Sequence, residues 1–167
     1  MDVLTNIPGF TIRQATEADV SVILQFIRGL ADYERLAHEV VADEATLRRT
    51  LFGERGVAEV LIGYDHEKPV CFALFFHNFS TFLGRPGIYL EDLFVNPDQR
   101  GKGFGKAMLA HLAKLAVERE CGRLEWSVLD WNEPAINFYK SLGAKPMDEW
   151  TIFRVTGDAL TQLAGQV

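Results

Sequence analysis

Cysteine is scarce in this chain. Cys71 and Cys121 are the two cysteines in 167 residues, too few for a disulfide framework. Both sit in apolar strand or helix-end contexts, so reduced thiols in a cytoplasmic protein are the expectation. No apolar run reaches about 18 residues, so no segment is expected to span a membrane. The N-terminus "MDVLTNIPGF" has no basic region ahead of an apolar block, and no signal peptide is expected. Basic residues are in deficit, 17 against 23 acidic ones. That balance argues against nucleic-acid binding, which needs a basic surface, and suits a cationic small-molecule partner. The four histidines, at 38, 66, 77 and 111, show no metal-ligand spacing, so no metal is expected. Repeats, low-complexity tracts and linkers are also missing. With 48% hydrophobic residues, the chain can build one sizeable core. A single domain over residues 1–167 is the expectation.

The hydrophobic pattern then divides the chain into elements. "FTIRQA" (10–15) alternates as a short strand does. Thr16 and Asp19 open a helix like a capping box, and Val20, Ile23, Leu24, Ile27 and Leu30 follow at helical spacing. Asp43 starts a second helix that stops before Gly53. "VAEVLIGY" and "VCFALFFHNF", joined by "DHEKP", form a hairpin. "GIYLEDLFV" (87–95) is a third long strand, ended by Asn96 and Pro97. Residues 105–120 are helical, with Met108, Leu109, Leu112 and Leu115 apolar, and Gly122 ends them. "RLEWSVL" is a strand. Asn132 caps a short helix with Pro134 in its first turn and Gly143 beyond its end. "WTIFRV" (150–155) gives a last strand. Antiparallel hairpins combined with a β-α-β crossover predict an α/β fold, a mixed, mostly antiparallel sheet of six to seven strands flanked by helices.

One segment carries more than structure. In "VNPDQRGKGFGKAML" (95–109) three glycines alternate with Lys102 and Phe104 between a strand and a helix. The spacing fails two phosphate loops. A dinucleotide fingerprint needs glycine where Lys106 stands. A P-loop needs glycine at Arg100 and Ser or Thr at Ala107. The pattern that fits is Arg-x-x-Gly-x-Gly, Arg100 to Gly105. Small residues let successive N–H groups face one anion, and the helix N-terminus adds partial positive charge. Arg100, Lys102 and Lys106 can add charge-assisted contacts. A flexible turn with solvated lysines is the plain alternative, and the strand-loop-helix context favours the anion site.

This segment resembles the coenzyme A pyrophosphate signature of the GNAT superfamily of N-acetyltransferases. "LADYERL" (30–36), "YLEDLFV" (89–95), "RGKGFGKAML" and "VLDWNEPAINFYKSLGA" (128–144) are similar to the spermidine/spermine and thialysine N-acetyltransferase group. The similarity runs from about residue 12 to 155. "VLDWN" resembles the thialysine branch and "NEPAINFY" the polyamine branch. The "DHEKP" turn is shorter than in the animal polyamine enzymes. The resemblance implies a GNAT fold and acetyl transfer from acetyl-CoA to a primary amine of a polyamine, diamine or thialysine-like amino acid. It implies a homodimer with a shared substrate site. It also implies that Gly101, Lys102, Gly103, Phe104, Gly105 and Lys106 hold the pyrophosphate. The backbone of Leu93, Phe94 and Val95 would pair with the pantetheine arm. Glu125 to Ser127, Asn132, Pro134 and Ala135 would form the coenzyme's other wall.

Amide formation needs a neutral amine, donors for the oxyanion and a proton for the leaving thiolate. From spacing alone Tyr139 is a core aromatic beside Phe138; the match of "NFY" makes it the proton donor. A phenol near ~10 protonating a thiolate near ~8.5 is uphill by about 2 kcal/mol. Glu91 is the candidate base, because a glutamate in an apolar strand is costly unless paired or used. Asp92 should face the other side of the sheet unless a bulge intervenes, and one of the two acids could be a structural acceptor. Stripping an alkylammonium directly would cost Glu91 roughly 8 kcal/mol. The resemblance has it act through water. Tyr33 and Glu34 match an amine-binding pair of the polyamine group, by stacking and by ion pairing. Asp148 or Glu149 would supply a further acidic contact. Each of these acids is otherwise a solvated surface carboxylate. Two other functions compete: acetylation of protein amino termini or lysines, and a non-catalytic acyl-CoA-binding module. The acidic "DYE" and "MDEW" segments disfavour the first. Tyr139 with Glu91 disfavours the second.

Overall fold

A computed structural model describes residues 2–167. They fall into two compact units, Met1–Ser127 and Val128–Val167.

The first unit is built on a six-stranded sheet with strands in chain order. They are β1 (Val3–Leu4), β2 (Phe10–Gln14), β3 (Glu59–Asp65), β4 (Lys68–Ser80), β5 (Arg85–Val95) and β6 (Leu124–Trp126). The first five pair antiparallel, and β6 joins β5 in parallel. The mixed sheet expected from the pattern is present. The "DHEKP" hairpin pairs Asp65 with Lys68 across a two-residue turn, with His66 at φ 56°. The strand within "RLEWSVL" is only three residues long, and β1 adds a pair not expected from the sequence.

The three helices of this unit follow their apolar stripes. Helix α1 (Val20–Tyr33) buries Val20, Ile23 and Leu24. Ahead of it, the Asp19 carboxylate accepts from the Thr16 N–H at 2.8 Å and binds Arg13 at 2.8 Å. Asp43 accepts from the Thr46 N–H at 2.7 Å and opens α2 (Glu44–Phe52). A cap of this kind is worth about 1 kcal/mol. Helix α3 (Phe104–Glu118) buries Phe104, Met108, Leu109 and Leu112. At its end Arg119 makes a two-pronged bond to Glu59 of β3, at 2.6 and 2.9 Å.

Strand alternation sorts the core into two faces. Val60, Ile62, Phe72 and Phe94 face α1, where Phe26 stacks on Phe72 at 5.2 Å. Phe10 lies on the opposite face and stacks on Phe104 of α3 at 4.3 Å. β4 and β5 are therefore covered on both sides, which explains their long apolar runs.

The second unit holds two helices, α4 (Glu133–Ser141) and α5 (Gly157–Ala164). Asn132 caps α4 through the Ala135 N–H. The strand expected at 150–155 does not form. Those residues have no strand partner among the described residues, and Ile152 and Phe153 are 77% and 91% exposed. Their β-propensity is genuine, but a strand exists only against a neighbouring edge. Helix α5 was missed, although Leu160 and Leu163 stand at helical spacing. Among the described residues no helix is long and apolar enough to cross a membrane.

One glycine sets how closely α1 meets the sheet. A Cβ on Gly29 would lie 2.8 Å from the Phe94 ring. Alanine gains about 1 kcal/mol of helix propensity, but overpacking a rigid ring costs typically about 1–3 kcal/mol. Gly29→Ala is therefore expected to lower stability in guanidinium denaturation. A raised midpoint would mean that Phe94 yields freely.

Candidate active site

The geometry of the site begins with a break in register. Across β4 and β5, Leu74 pairs with Asp92, but Phe75 pairs with Leu90. Glu91 is the extra residue, so β5 carries a β-bulge there. The pairing of β5 with β6 covers Ile88, Tyr89 and Leu90 and goes no further. Bulge and end of pairing thus coincide. Beyond Leu90 no strand among the described residues pairs with β5 on its β6 side, and in this sense that edge is open.

The open edge can be assigned residue by residue. The Asn96 N–H donates to the Val70 carbonyl on β4. In an antiparallel pair the backbone groups of alternate residues point the same way. Phe94 therefore bonds towards β4, while the N–H and C=O of Leu93 and Val95 face the open edge. Phe94 contributes its ring to the α1 core instead.

The bulge also decides where the two acids go. Glu91 is exposed. Asp92 is half-buried and shares the α1 face with Phe94, two residues on. Burial first, then the charges of Glu91 and Glu34, push the Asp92 carboxyl up to about 6. Glu34 caps the C-terminus of α1, and burial raises its pKa as well. Three carboxylates from two distant sequence segments thus share one electrostatic neighbourhood. Such a cluster favours a bound cation.

At the end of α1, Tyr33 is 38% exposed. The Arg100 guanidinium lies over its ring, 4.5 Å from the centroid. The same guanidinium is 5.7 Å from the Phe94 ring, and Arg100 Nε donates to the Val95 carbonyl at 3.2 Å. Arg100 thus touches both the acidic neighbourhood's aromatic and the open edge.

After Arg100 the chain turns sharply. Gly101 and Gly103 have φ of 79° and 87°, a region L-residues rarely adopt. Gly103 is the N-cap of α3, so the first N–H groups of the helix follow directly. Gly105 lies within the first turn. Lys102 donates to Gln99 at 2.7 Å and sits 3.8 Å from Asp65. Lys102, Gly103 and Lys106 also line a cleft of about 680 Å³ between α3 and the β1 segment. Backbone donors, the helix dipole and these cations together favour an anion here. No group of three or more His, Cys, Asp or Glu among the described residues could hold a metal.

The remaining expected residues lie in the second unit. Tyr139 is half-buried on α4, its ring 5.6 Å from that of Phe138. Asn132 is buried as the α4 cap, with Pro134 and Ala135 in the first turn. Trp131 is half exposed. Asp148 and Glu149 are both exposed in the turn before Trp150. In the first unit, Glu125 receives bonds from Asn78 and Arg123, and Ser127 Oγ lies 2.7 Å from the Tyr89 hydroxyl. The role of Arg100 as a bridge had no sequence signal, because its partner Tyr33 is 67 positions away.

Comparison with known proteins places the chain in a family. The model of the acetyltransferase (GNAT) family matches residues 27–144. A thialysine N-epsilon-acetyltransferase from Bos taurus is 40% identical over 93% of this chain and 97% of its own length. An L-ornithine N5-acetyltransferase from Arabidopsis thaliana is 36% identical over 89% of this chain and 85% of its own. Among solved structures, an integron cassette protein from the mobile metagenome of V. cholerae superposes with a TM-score of 0.79. It is 29% identical and covers 93% of this chain and 98% of that one. The chain belongs to the GNAT acetyltransferase family.

Asp92 gives the site a pH signature. Its folded-state pKa, about 6, lies above the unfolded value near ~3.9. The folded protein therefore holds the extra proton between these values, and stability contributed by Asp92 falls as pH rises through them. Asp92→Asn should be more stable than the parent at pH 7–8, by at most about 3 kcal/mol. The gap should close towards pH 4. Equal stability at both pH values in urea titrations would show that Asp92 is not desolvated.

Proposed function

We propose that the protein is an N-acetyltransferase that moves acetyl from acetyl-CoA to the primary amine of a small cation. The substrate class is a thialysine-like amino acid with an ω-amine, or a short polyamine or diamine. The bulge at Glu91 carries this reading, since it ends the β6 pairing and leaves an open edge ten residues before the Gly101 anion loop.

In this reaction the loop 100–106 and the α3 N-terminus hold the coenzyme's pyrophosphate. The pantetheine arm pairs with the open edge at Leu93 and Val95. An N–H on that edge polarises the thioester carbonyl and stabilises the tetrahedral oxyanion. Glu34, Asp92 and Tyr33 attract and orient the cationic amine. Glu91 takes a proton through water, and its exposure leaves room for that water. Asp92, with a pKa about 6, is closer to an amine in basicity than an ordinary carboxylate. It shares this role or keeps the distal ammonium in place. Transfer is direct, and Tyr139 returns a proton to the coenzyme thiolate. Asn132, Pro134 and Ala135 line the coenzyme, and Asp148 or Glu149 adds an acidic contact to the amine.

Homologues acting on thialysine and on the side-chain amine of ornithine support an ω-amine of an amino acid as the first choice. The exposed Trp150, Ile152 and Phe153 support a homodimer, because exposed apolar runs mark interfaces. Two free thiols, one of them buried, suit the reducing cytoplasm.

Thialysine, ornithine, lysine, spermidine and putrescine, assayed by coenzyme A release, test the substrate class. The amino acids with an ω-amine should lead; no turnover of any of the five, with turnover of a lysine-containing peptide assayed beside them, would overturn the assignment. Tyr139→Phe should keep coenzyme affinity and lose turnover by about tenfold or more. Unchanged turnover would remove Tyr139 from the acid role. Sedimentation should give a dimer mass, and Phe153→Asp should shift it towards the monomer.

A further inference from the structure

Arg100 occupies two groups at once that the reaction needs. Its guanidinium covers the Tyr33 ring at 4.5 Å. Its Nε bonds the Val95 carbonyl at 3.2 Å. The Val95 carbonyl lies on the open edge of β5. The Tyr33 ring is the surface proposed for the amine, and the inference rests on that reading.

A ring face stacks one cation at a time, since a second would meet both steric conflict and like-charge repulsion. In this arrangement the protein's own guanidinium stands where a substrate ammonium would stack. Arg100 is also the first residue of the anion loop, and it is exposed, so its side chain is free to swing. A pyrophosphate offers it charge-assisted, two-pronged hydrogen bonds. Those are stronger than an exposed cation–π contact.

We infer that Arg100 is a positioning residue that keeps the amine site closed until coenzyme binds. The pyrophosphate draws the guanidinium from Tyr33, which exposes the ring to the amine. The same movement releases the Val95 carbonyl for the pantetheine arm. Coenzyme and amine are then coupled through one side chain, with coenzyme binding first. Linkage requires the coupling to be reciprocal.

Calorimetry with thialysine, and with spermidine in a parallel arm, tests this on the full chain. The parent enzyme should bind amine about tenfold more tightly in saturating coenzyme A than without it. Arg100→Gln should bind amine without coenzyme about tenfold more tightly than the parent does. Arg100→Lys, which keeps a cation over the ring, should stay weak. Equal affinity of the parent with and without coenzyme A would overturn the inference. So would an Arg100→Gln variant, folded by circular dichroism, with no gain in coenzyme-free affinity. A second readout needs no amine. In the arginine Nε–H NMR spectrum the Arg100 resonance, assigned from the Gln variant, should carry a ring-current shift. Tyr33→Leu should abolish that shift, and coenzyme A should remove it in the parent. A resonance unmoved by coenzyme A sinks the gate. Failure of every amine to bind or react, with the resonance still moving, would instead sink the substrate assignment alone.

Discussion

The site depends on a single extra residue in β5. Without the bulge, Glu91 would pair with Leu74, and every side chain and polar backbone group downstream would change sides. With it, Asp92 turns onto the α1 face, and Leu93 and Val95 turn their backbone to the strand's outer edge. β6 stops at the same level, so that edge stays unpaired. An unpaired edge is normally a liability, and proteins cover or charge it. In the proposed reaction a coenzyme arm covers it. The bulge thus converts a buried central strand into one that is structural at its first half and functional at its second.

Around this strand the charges are separated by sign. The α1 face collects Glu34 and Asp92, with Glu91 at the bulge; the loop that follows collects Arg100, Lys102, Lys106 and the N–H groups of α3. Under the proposed function, this separation directs cationic amine and anionic coenzyme to neighbouring places. The strain of the arrangement is visible in Asp92, a carboxyl desolvated and held beside two others. A protein optimised for stability alone would place an apolar residue there, and such compromises mark functional positions. Arg100 reaches from the glycine loop to the end of α1, where its guanidinium stacks on Tyr33.

Much of this was legible in the linear chain. The helix starts at Thr16, Asp43 and Asn132 depend on side chains reaching two or three residues ahead, so spacing reveals them. The glycine turn before α3 was legible for the same reason: Gly101 and Gly103 serve local backbone angles, and Gly103 leads straight into the helix. The pairing of Tyr33 with Arg100 was not legible. Nothing local distinguishes an aromatic at the end of α1 that meets arginine from one that meets solvent. The expected strand at 150–155 failed because strand propensity describes a surface ready to pair, while pairing requires an edge from elsewhere.

The sequence by itself determined the family and the mixed sheet, because these rest on periodicity, caps and motifs a few residues long. It narrowed the acids of "LEDLFV" to a pair but not their roles. Only the tertiary structure decided that Glu91 is exposed, that Asp92 is half-buried beside Glu34, and that Leu93 and Val95 rather than Phe94 face the open edge. Those outcomes turn on the register between β4 and β5. Register is settled by the packing of whole strands against α1 and α3, and no short window of sequence contains it.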